Sequence, residues 1–288
     1  MRTVLQISPR FQIIDNKTTA YEAFKKLFES LERFFWIFDF LLTQSDKMFK
    51  VKEPSPHQFI ALGYLAWVCG QIRGILILFN ESLISQAQQL IRALWEAKVN
   101  LLYLAQNPEA RVPIFNKKIA EELEKLRREA DRGNPVLPSS LKGLPPLSDI
   151  TKSKQELWDD KIVERAKQVN LEDEYLTIYR IYSWPGHAGA PAIRGYVSVN
   201  DKNISYDPNE SVDEIPGNLV ISIMFAFQIL TELNNVLNIL NPIEIEETTM
   251  EPLLTIHEYA KEKSEFINEK LPDLFKKFLQ QQTQSPII

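Results

Sequence analysis

Apolar residues recur at steps of three and four along most of this 288-residue chain. Between residues 19 and 42 they fall on one face of a helix, at Tyr21, Phe24, Phe28, Leu31, Phe35, Phe38 and Leu42. A half-buried strand would need alternation with a period of two instead. The period therefore predicts an all-α fold, because amphipathic helices bury their apolar faces against one another.

Start and stop signals divide this pattern into seven or eight helices packed as a bundle. The clearest start is Ser55-Pro56 with Gln58, a capping box that has proline at the first helical position. The clearest stop is Pro185, because the residue before a proline disfavours helical geometry. The expected helices are 19–42, 56–79, 82–105, 108–132, 154–169, 171–184, 214–240 and 249–270.

We expect one helical domain over residues 1–288. N-terminal helices occupy 18–132, a proline-rich loop 133–152, C-terminal helices 153–270 and a polar tail 271–288. The pattern changes only near 194–210, where the segments GYVSV and ISYDP alternate around a turn-forming NDKN. That region predicts either a short β-hairpin or an ordered loop.

Net charge, cysteine content and hydrophobicity indicate which partners and which compartment to expect for this protein. A net charge of -5 argues against a broad nucleic-acid-coating surface, although it leaves room for a local basic pocket that binds RNA or a nucleotide. The single cysteine, Cys69, permits no intrachain disulfide, so we expect a cytoplasmic protein. The most apolar stretch, residues 59–79, contains Gln71 and Arg73 and reads as a core helix, so we expect no membrane partner.

A first polar constellation lies on the third expected helix. Arg92, Glu96, Asn100 and Tyr103 are spaced four, four and three apart and line one face, while the rest of the helix is apolar. A helix that is apolar nearly all round is buried, which predicts that this polar stripe lies inside the bundle. It is either a structural ion pair with hydrogen-bonded neighbours or the wall of a binding pocket.

A second constellation surrounds a helix end in the stretch YRIYSWPGHAGAPAIRG, residues 179–195. Tyr179 and Ser183 share a helix face, and Arg180 lies beside them. The helix stops at Trp-Pro-Gly, and His187 is the next side chain able to turn back over its end. Flanking glycines leave room for a ligand, which makes this segment a candidate site.

Together the two constellations resemble a widespread prokaryotic family known as domain of unknown function 5677. The resemblance is carried by RALWEA-x-VNLLYL and by a later Tyr-x3-Ser-x3-His pattern. It covers roughly residues 60–195 and implies that the two segments belong to one site. The matching positions in this sequence are Arg92, Glu96, Asn100, Tyr179, Ser183 and His187.

A looser similarity is to HEPN domains, helical modules found in toxins and phage-defence ribonucleases. Their signature is an arginine followed by four to six residues and a histidine, which Arg180 and His187 satisfy. The resemblance implies metal-independent RNA cleavage, in which His187 moves protons and Arg180 stabilises the phosphate charge. It also implies a homodimer. The signature usually has a polar residue after the arginine, where this chain has Ile181.

The remaining motifs predict no cofactor and no metal. No glycine-rich phosphate loop is present, and three histidines with one cysteine show no zinc spacing. The leading hypothesis, which the resemblance to HEPN domains implies, is a HEPN-like ribonuclease or toxin in prokaryotic defence. The alternatives are a non-catalytic module that binds a nucleotide, ligand or partner through the same pocket, and a homodimeric scaffold without a site.

Overall fold

A computed structural model of the protein shows an all-α fold, as the helical period predicts. The structure describes residues 20–49, 53–133, 161–183, 197–200, 203–206 and 214–262. The expected proline-rich loop and polar tail lie almost wholly outside these ranges. The helices are α1 (Ala20–Ala23), α2 (Lys25–Phe49), α3 (Pro56–Asn80), α4 (Ile84–Gln106), α5 (Pro108–Asp131), α6 (Ile162–Gln168), α7 (Glu172–Glu174), α8 (Arg180–Ser183), α9 (Ile215–Leu237) and α10 (Pro242–Glu262).

Four long helices form the core. Helix α9 packs against α2, α3 and α4, and most of its side chains are buried. This follows from its sequence, which carries no charged residue before Glu232. The rings of Phe34 on α2 and Phe227 on α9 meet edge to face with centroids 6.5 Å apart. The apolar faces of the expected helices therefore converge on one shared core.

Short connections arrange the core helices side by side. Only residues 81–83 join α3 to α4, so the two helices run antiparallel as neighbours. At the start of α3 the predicted capping box is confirmed: the Gln58 amide donates to Ser55 Oγ at 3.2 Å, and the Ser55 amide donates to Gln58 Oε1 at 3.0 Å.

A second layer covers the outer face of α4. Helix α6, helix α8 and a π-helical turn at Tyr175–Tyr179 all pack against it. Helices α7 and α8 and this turn together fill the expected helix 171–184. The alternating region forms a hairpin of β1 (Val197–Asn200) and β2 (Asn203–Tyr206), paired antiparallel with Val197 opposite Tyr206.

Several helix boundaries differ from the sequence prediction, among them those of α2 and α10. Helix α2 continues to Phe49, seven residues beyond the expected end. Helix α10 begins at Pro242 and not at 249, because Asn241 and Glu244 cap it reciprocally at that point. The Glu244 amide donates to Asn241 Oδ1 at 3.0 Å, and the Asn241 amide donates to Glu244 Oε2 at 2.8 Å.

Helices α3 and α9 are each long and apolar enough, by length and composition alone, to cross a membrane. Two thirds of the most apolar window of α9 are buried in the bundle, but only a third of that of α3. The inner face of α3 contributes to the core, as expected for residues 59–79. Its outer face leaves Phe59 and Trp67 exposed to 68% and 41%.

The C-terminal end of α9 is closed by one buried side chain. Asn238 takes the left-handed conformation with φ 52°, which turns the chain out of the helix. The buried Asn234 amide nitrogen donates to the Leu240 carbonyl at 2.9 Å. Its oxygen accepts from the Ile239 and Leu240 amides at 3.3 and 2.8 Å. One side chain therefore holds three backbone groups of the turn into α10.

Replacement of Asn234 by alanine should destabilise the fold, because three backbone groups lose their partner at once. We expect Asn234→Ala to lower the free energy of unfolding by about 2 kcal/mol. The measurement is urea denaturation followed by circular dichroism. Asn235, next in the same helix but exposed, provides the matched control, and Asn235→Ala should change stability little. Equal losses in the two variants would contradict the capping role of Asn234.

Candidate functional site

The polar stripe of α4 begins with an ion pair. Arg92 Nε lies 3.1 Å from Glu96 Oε1, one helical turn away, as the spacing predicts. The two side chains are 29% and 37% exposed. The expectation that the whole stripe lies inside the bundle is therefore wrong at this end, because the second layer covers this part of α4 only partly.

The two predicted segments meet at this ion pair. Arg92 Nη2 donates to Tyr179 Oη at 2.8 Å, and the Arg92 guanidinium carbon lies 4.7 Å from the centre of the Tyr179 ring. Burial and the Glu96 carboxylate raise the pKa of Tyr179, while Arg92 lowers it, so the net shift is upward. The phenol is therefore neutral at physiological pH and accepts a hydrogen bond from arginine.

An aromatic stack fills the space behind this contact. The rings of Tyr175 and Tyr179 stack with centroids 5.0 Å apart, and the Trp95 ring lies 4.9 Å from that of Tyr179. The π-helical turn contains both tyrosines and is closed by the Arg180 amide, which donates to the Tyr175 carbonyl five residues back. Such turns insert one extra residue into a helix and occur often at functional sites.

A buried ion pair that the sequence analysis missed anchors the same segment. Lys98 Nζ lies 2.5 Å from Glu174 Oε2, with side chains only 1% and 8% exposed. Trp95 Nε1 donates to the same carboxylate oxygen at 2.9 Å, and the ammonium lies 4.9 Å from the centre of the Phe225 ring. Burial lowers the pKa of Lys98, and the adjacent carboxylate opposes that shift.

A sequence signal for this pair did exist. Lys98 lies three residues after Trp95, on the apolar side of α4, where an ammonium group needs a counter-ion. The acidic run Glu172, Asp173 and Glu174 precedes the candidate segment and contains that counter-ion. Spacing along the sequence could not indicate which of the three carboxylates turns inward.

The inner end of the stripe contacts other helices. Asn100 hydrogen-bonds through its side chain to Tyr64 on α3, where burial raises the pKa of Tyr64 to about 12. The Asn100 Oδ1 atom is buried and has no hydrogen-bond partner among the described residues. Tyr103 is 9% exposed, and the Arg111 guanidinium carbon of α5 lies 3.7 Å above its ring. Asn100 and Tyr103 therefore connect α4 to α3 and α5.

Ser183 also has a local partner. Its hydroxyl donates to the Tyr179 carbonyl at 2.6 Å, one turn back in the same helix, and the residue is buried. Arg180, by contrast, is exposed, and its guanidinium makes no ion pair or hydrogen bond with the residues that the structure describes. His187 and the Trp-Pro-Gly stop lie outside those residues.

The described residues contain no cluster of side chains suited to bind a metal ion. No group of three or more histidine, cysteine, aspartate or glutamate side chains there is placed to hold an ion. Cys69 is buried, and burial raises the pKa of its thiol to about 11. It is therefore a packed thiol and not a nucleophile.

Removal of one member of the buried pair should be costly. Lys98→Met leaves the Glu174 carboxylate buried with only Trp95 as a donor, so we expect a loss of about 3–5 kcal/mol in the free energy of unfolding. In the double variant Lys98→Met/Glu174→Gln no charge remains buried, and Gln can still accept from Trp95. Urea denaturation should show the double variant to be more stable than either single variant.

The exposed pair Lys167–Glu164 on α6 supplies the matched control, with side chains 43% and 42% exposed. Lys167→Met should cost less than about 1 kcal/mol, because solvent already screens that pair. Strictly additive losses at Lys98 and Glu174 would show that the two charges do not depend on each other.

Comparison with known proteins supplies one match. The profile described as "Family of unknown function (DUF5677)" matches residues 58–204, just over half of the chain. No curated protein and no solved structure matches. The matched range holds the polar face of α4, the π-helical turn and the segment through His187, which are the positions that carry the resemblance in the sequence. The chain therefore belongs to this family of unknown function.

Proposed function

We propose that the helix end at 179–187 binds RNA and cleaves it without a metal ion, with Arg180 and His187 as the reacting pair. The observation that supports the proposal is the exposed position of Arg180. It lies directly after the stacked tyrosines, is exposed, and has no ionic partner among the described residues. An arginine in that state can fork onto the oxygens of a phosphate.

The proposed reaction is an internal transfer at phosphorus. The ribose 2′-oxygen attacks the adjacent phosphorus, the bond from phosphorus to the 5′-oxygen breaks, and a cyclic phosphate and a free 5′-hydroxyl result. His187 takes the proton from the 2′-hydroxyl or gives one to the leaving 5′-oxygen, since imidazole titrates near neutral pH. Arg180 stabilises the negative charge that develops on the phosphate oxygens.

The other predicted site residues take unequal parts in this proposal. Arg92 and Tyr179 are partly exposed, and Tyr179 directly precedes Arg180 in the chain. In this proposal the two residues form the wall of the site. Glu96 holds Arg92 in position. Tyr103 and Ser183 contact other groups of the protein, and Asn100 lies against Tyr64 with its Oδ1 atom buried. In this proposal these three residues support the wall and do not touch the substrate.

A second candidate is a non-catalytic module that binds a nucleotide or single-stranded RNA. The stacked pair Tyr175 and Tyr179 favours it, because aromatic rings beside arginines bind bases and phosphates without needing any proton transfer. This candidate needs Arg180 but not His187 for affinity. The two candidates therefore differ in what replacement of His187 should do.

The decisive test is incubation of the purified full chain with single-stranded RNA, with and without EDTA. We expect cleavage that resists EDTA and yields cyclic phosphate ends. Arg180→Ala and His187→Ala should each lower the rate by about 10²–10⁴-fold. Arg180→Lys should recover only part of the loss, because lysine retains the charge but not the bidentate fork.

Two exposed residues on other helices serve as matched controls. Arg128→Ala on α5 and His257→Ala on α10 should leave the rate unchanged. RNA binding that requires Arg180 but gives no cleavage would favour the second candidate. A folded wild-type chain that neither cleaves RNA nor binds RNA or a nucleotide would exclude both.

A further inference from the structure

Helix α5 carries a half-exposed apolar seam beyond its contact with the core. Its first turns pack against α3 and α4 through Val112 and Phe115. Further along, Ile119, Leu123 and Leu126 are 42%, 45% and 43% exposed. These three neighbouring aliphatic side chains belong to neither hydrophobic cluster of the residues that the structure describes.

The spacing of this seam is that of a coiled coil. Asn116, Ile119, Leu123 and Leu126 follow one another at steps of three, four and three, which places them at alternating a and d positions of a heptad. Val112 and Ala130 continue the same spacing at the two ends, but they are buried within the chain, at 6% and 0% exposed. Outside the seam, the b, c and f positions from 117 to 128 are all charged. The seam is thus the single apolar side of an otherwise charged helix.

We infer that this seam pairs with the same seam of a second copy of the chain, in a parallel two-stranded coiled coil. Asn116 occupies an a position, where a buried asparagine specifies two parallel strands in register because it pairs with its own symmetry mate. An unlike partner would have to supply a matching polar group at that one level. The feature therefore favours a second copy of this chain.

Charge complementarity selects the parallel direction. In this heptad Glu122 is at a g position and Arg127 at the following e position. In a parallel pair each Glu122 faces the Arg127 of the other copy, so two attractive contacts form. In an antiparallel pair Glu122 would face Glu129 at the other g position, and the charges would repel. Within one chain Arg127 also pairs with Glu124 and Asp131.

The first test is the association state of the full chain by sedimentation equilibrium, up to about 100 μM, where a dimer with a Kd of about 10 μM is mostly formed. We expect a monomer–dimer equilibrium. Leu123→Glu should raise the Kd about a hundredfold, because two leucines lose their buried contact. Leu254→Glu on α10, also exposed at 54%, is the matched control and should leave the Kd unchanged.

Exchange of the charges at Glu122 and Arg127 distinguishes a loss of dimer pairing from a loss of folding. Glu122→Arg and Arg127→Glu should each raise the dimer Kd about tenfold, because two attractions become two repulsions. The double variant should restore the wild-type Kd, which a merely misfolded helix would not do. Circular dichroism verifies that each variant retains its helix content.

A cross-link tests the direction. In a Cys69→Ala background, Asn116→Cys should form a disulfide-linked dimer on mild oxidation, since symmetry places the two a positions opposite each other. Arg128→Cys, on the outer face, should not. A wild-type chain that stays monomeric, or a dimer that Leu123→Glu leaves intact, overturns the proposal. A dimer in which Asn116→Cys fails to cross-link overturns the parallel arrangement.

Discussion

The buried ion pair between Lys98 and Glu174 fixes the site. Withdrawal of both charges from water is costly, and the pair is tolerable only because the carboxylate also accepts from Trp95 and the ammonium lies against Phe225. An interaction with such strict requirements allows one register between α4 and the segment 172–183. The contact of the Tyr179 ring with Trp95 and its hydrogen bond from Arg92 lie in this same register.

The two ends of the polar stripe of α4 therefore make different kinds of contact. At its inner end Asn100 joins α3 through Tyr64, and Tyr103 joins α5 through Arg111. At its outer end Arg92 and Glu96 bind each other and Tyr179 at the edge of solvent. These side chains are occupied by partners within the chain, as expected of a rigid support. In the proposed function the reacting group comes from the exposed end of the segment, at Arg180.

Much of this could be predicted from the sequence, and the exceptions have physical causes. Periodicity and capping signals located α3, α4 and α5 to within two residues, because each is set by local chemistry. The Arg92–Glu96 pair followed from a spacing of one turn. The Lys98–Glu174 pair joins residues 76 positions apart. Periodicity predicts which face of a helix a residue lies on, but it does not predict which residue of another segment packs against that face. The π-helical turn likewise depends on packing against Trp95 and has no signal of its own in the sequence.

Helix α4 also connects the candidate site to the proposed dimer seam. Arg111, near the start of α5, donates to the Tyr103 carbonyl at 2.5 Å and to Gln168 Oε1 at the end of α6 at 3.0 Å. These bonds tie the base of α5 to both helices that flank the site. Pro113 then removes one backbone hydrogen bond just beyond this anchor. Beyond this anchor α5 carries several charge pairs of its own. Ile119, Leu123 and Leu126 stay half-exposed there, and this is the surface that we propose pairs with a second chain.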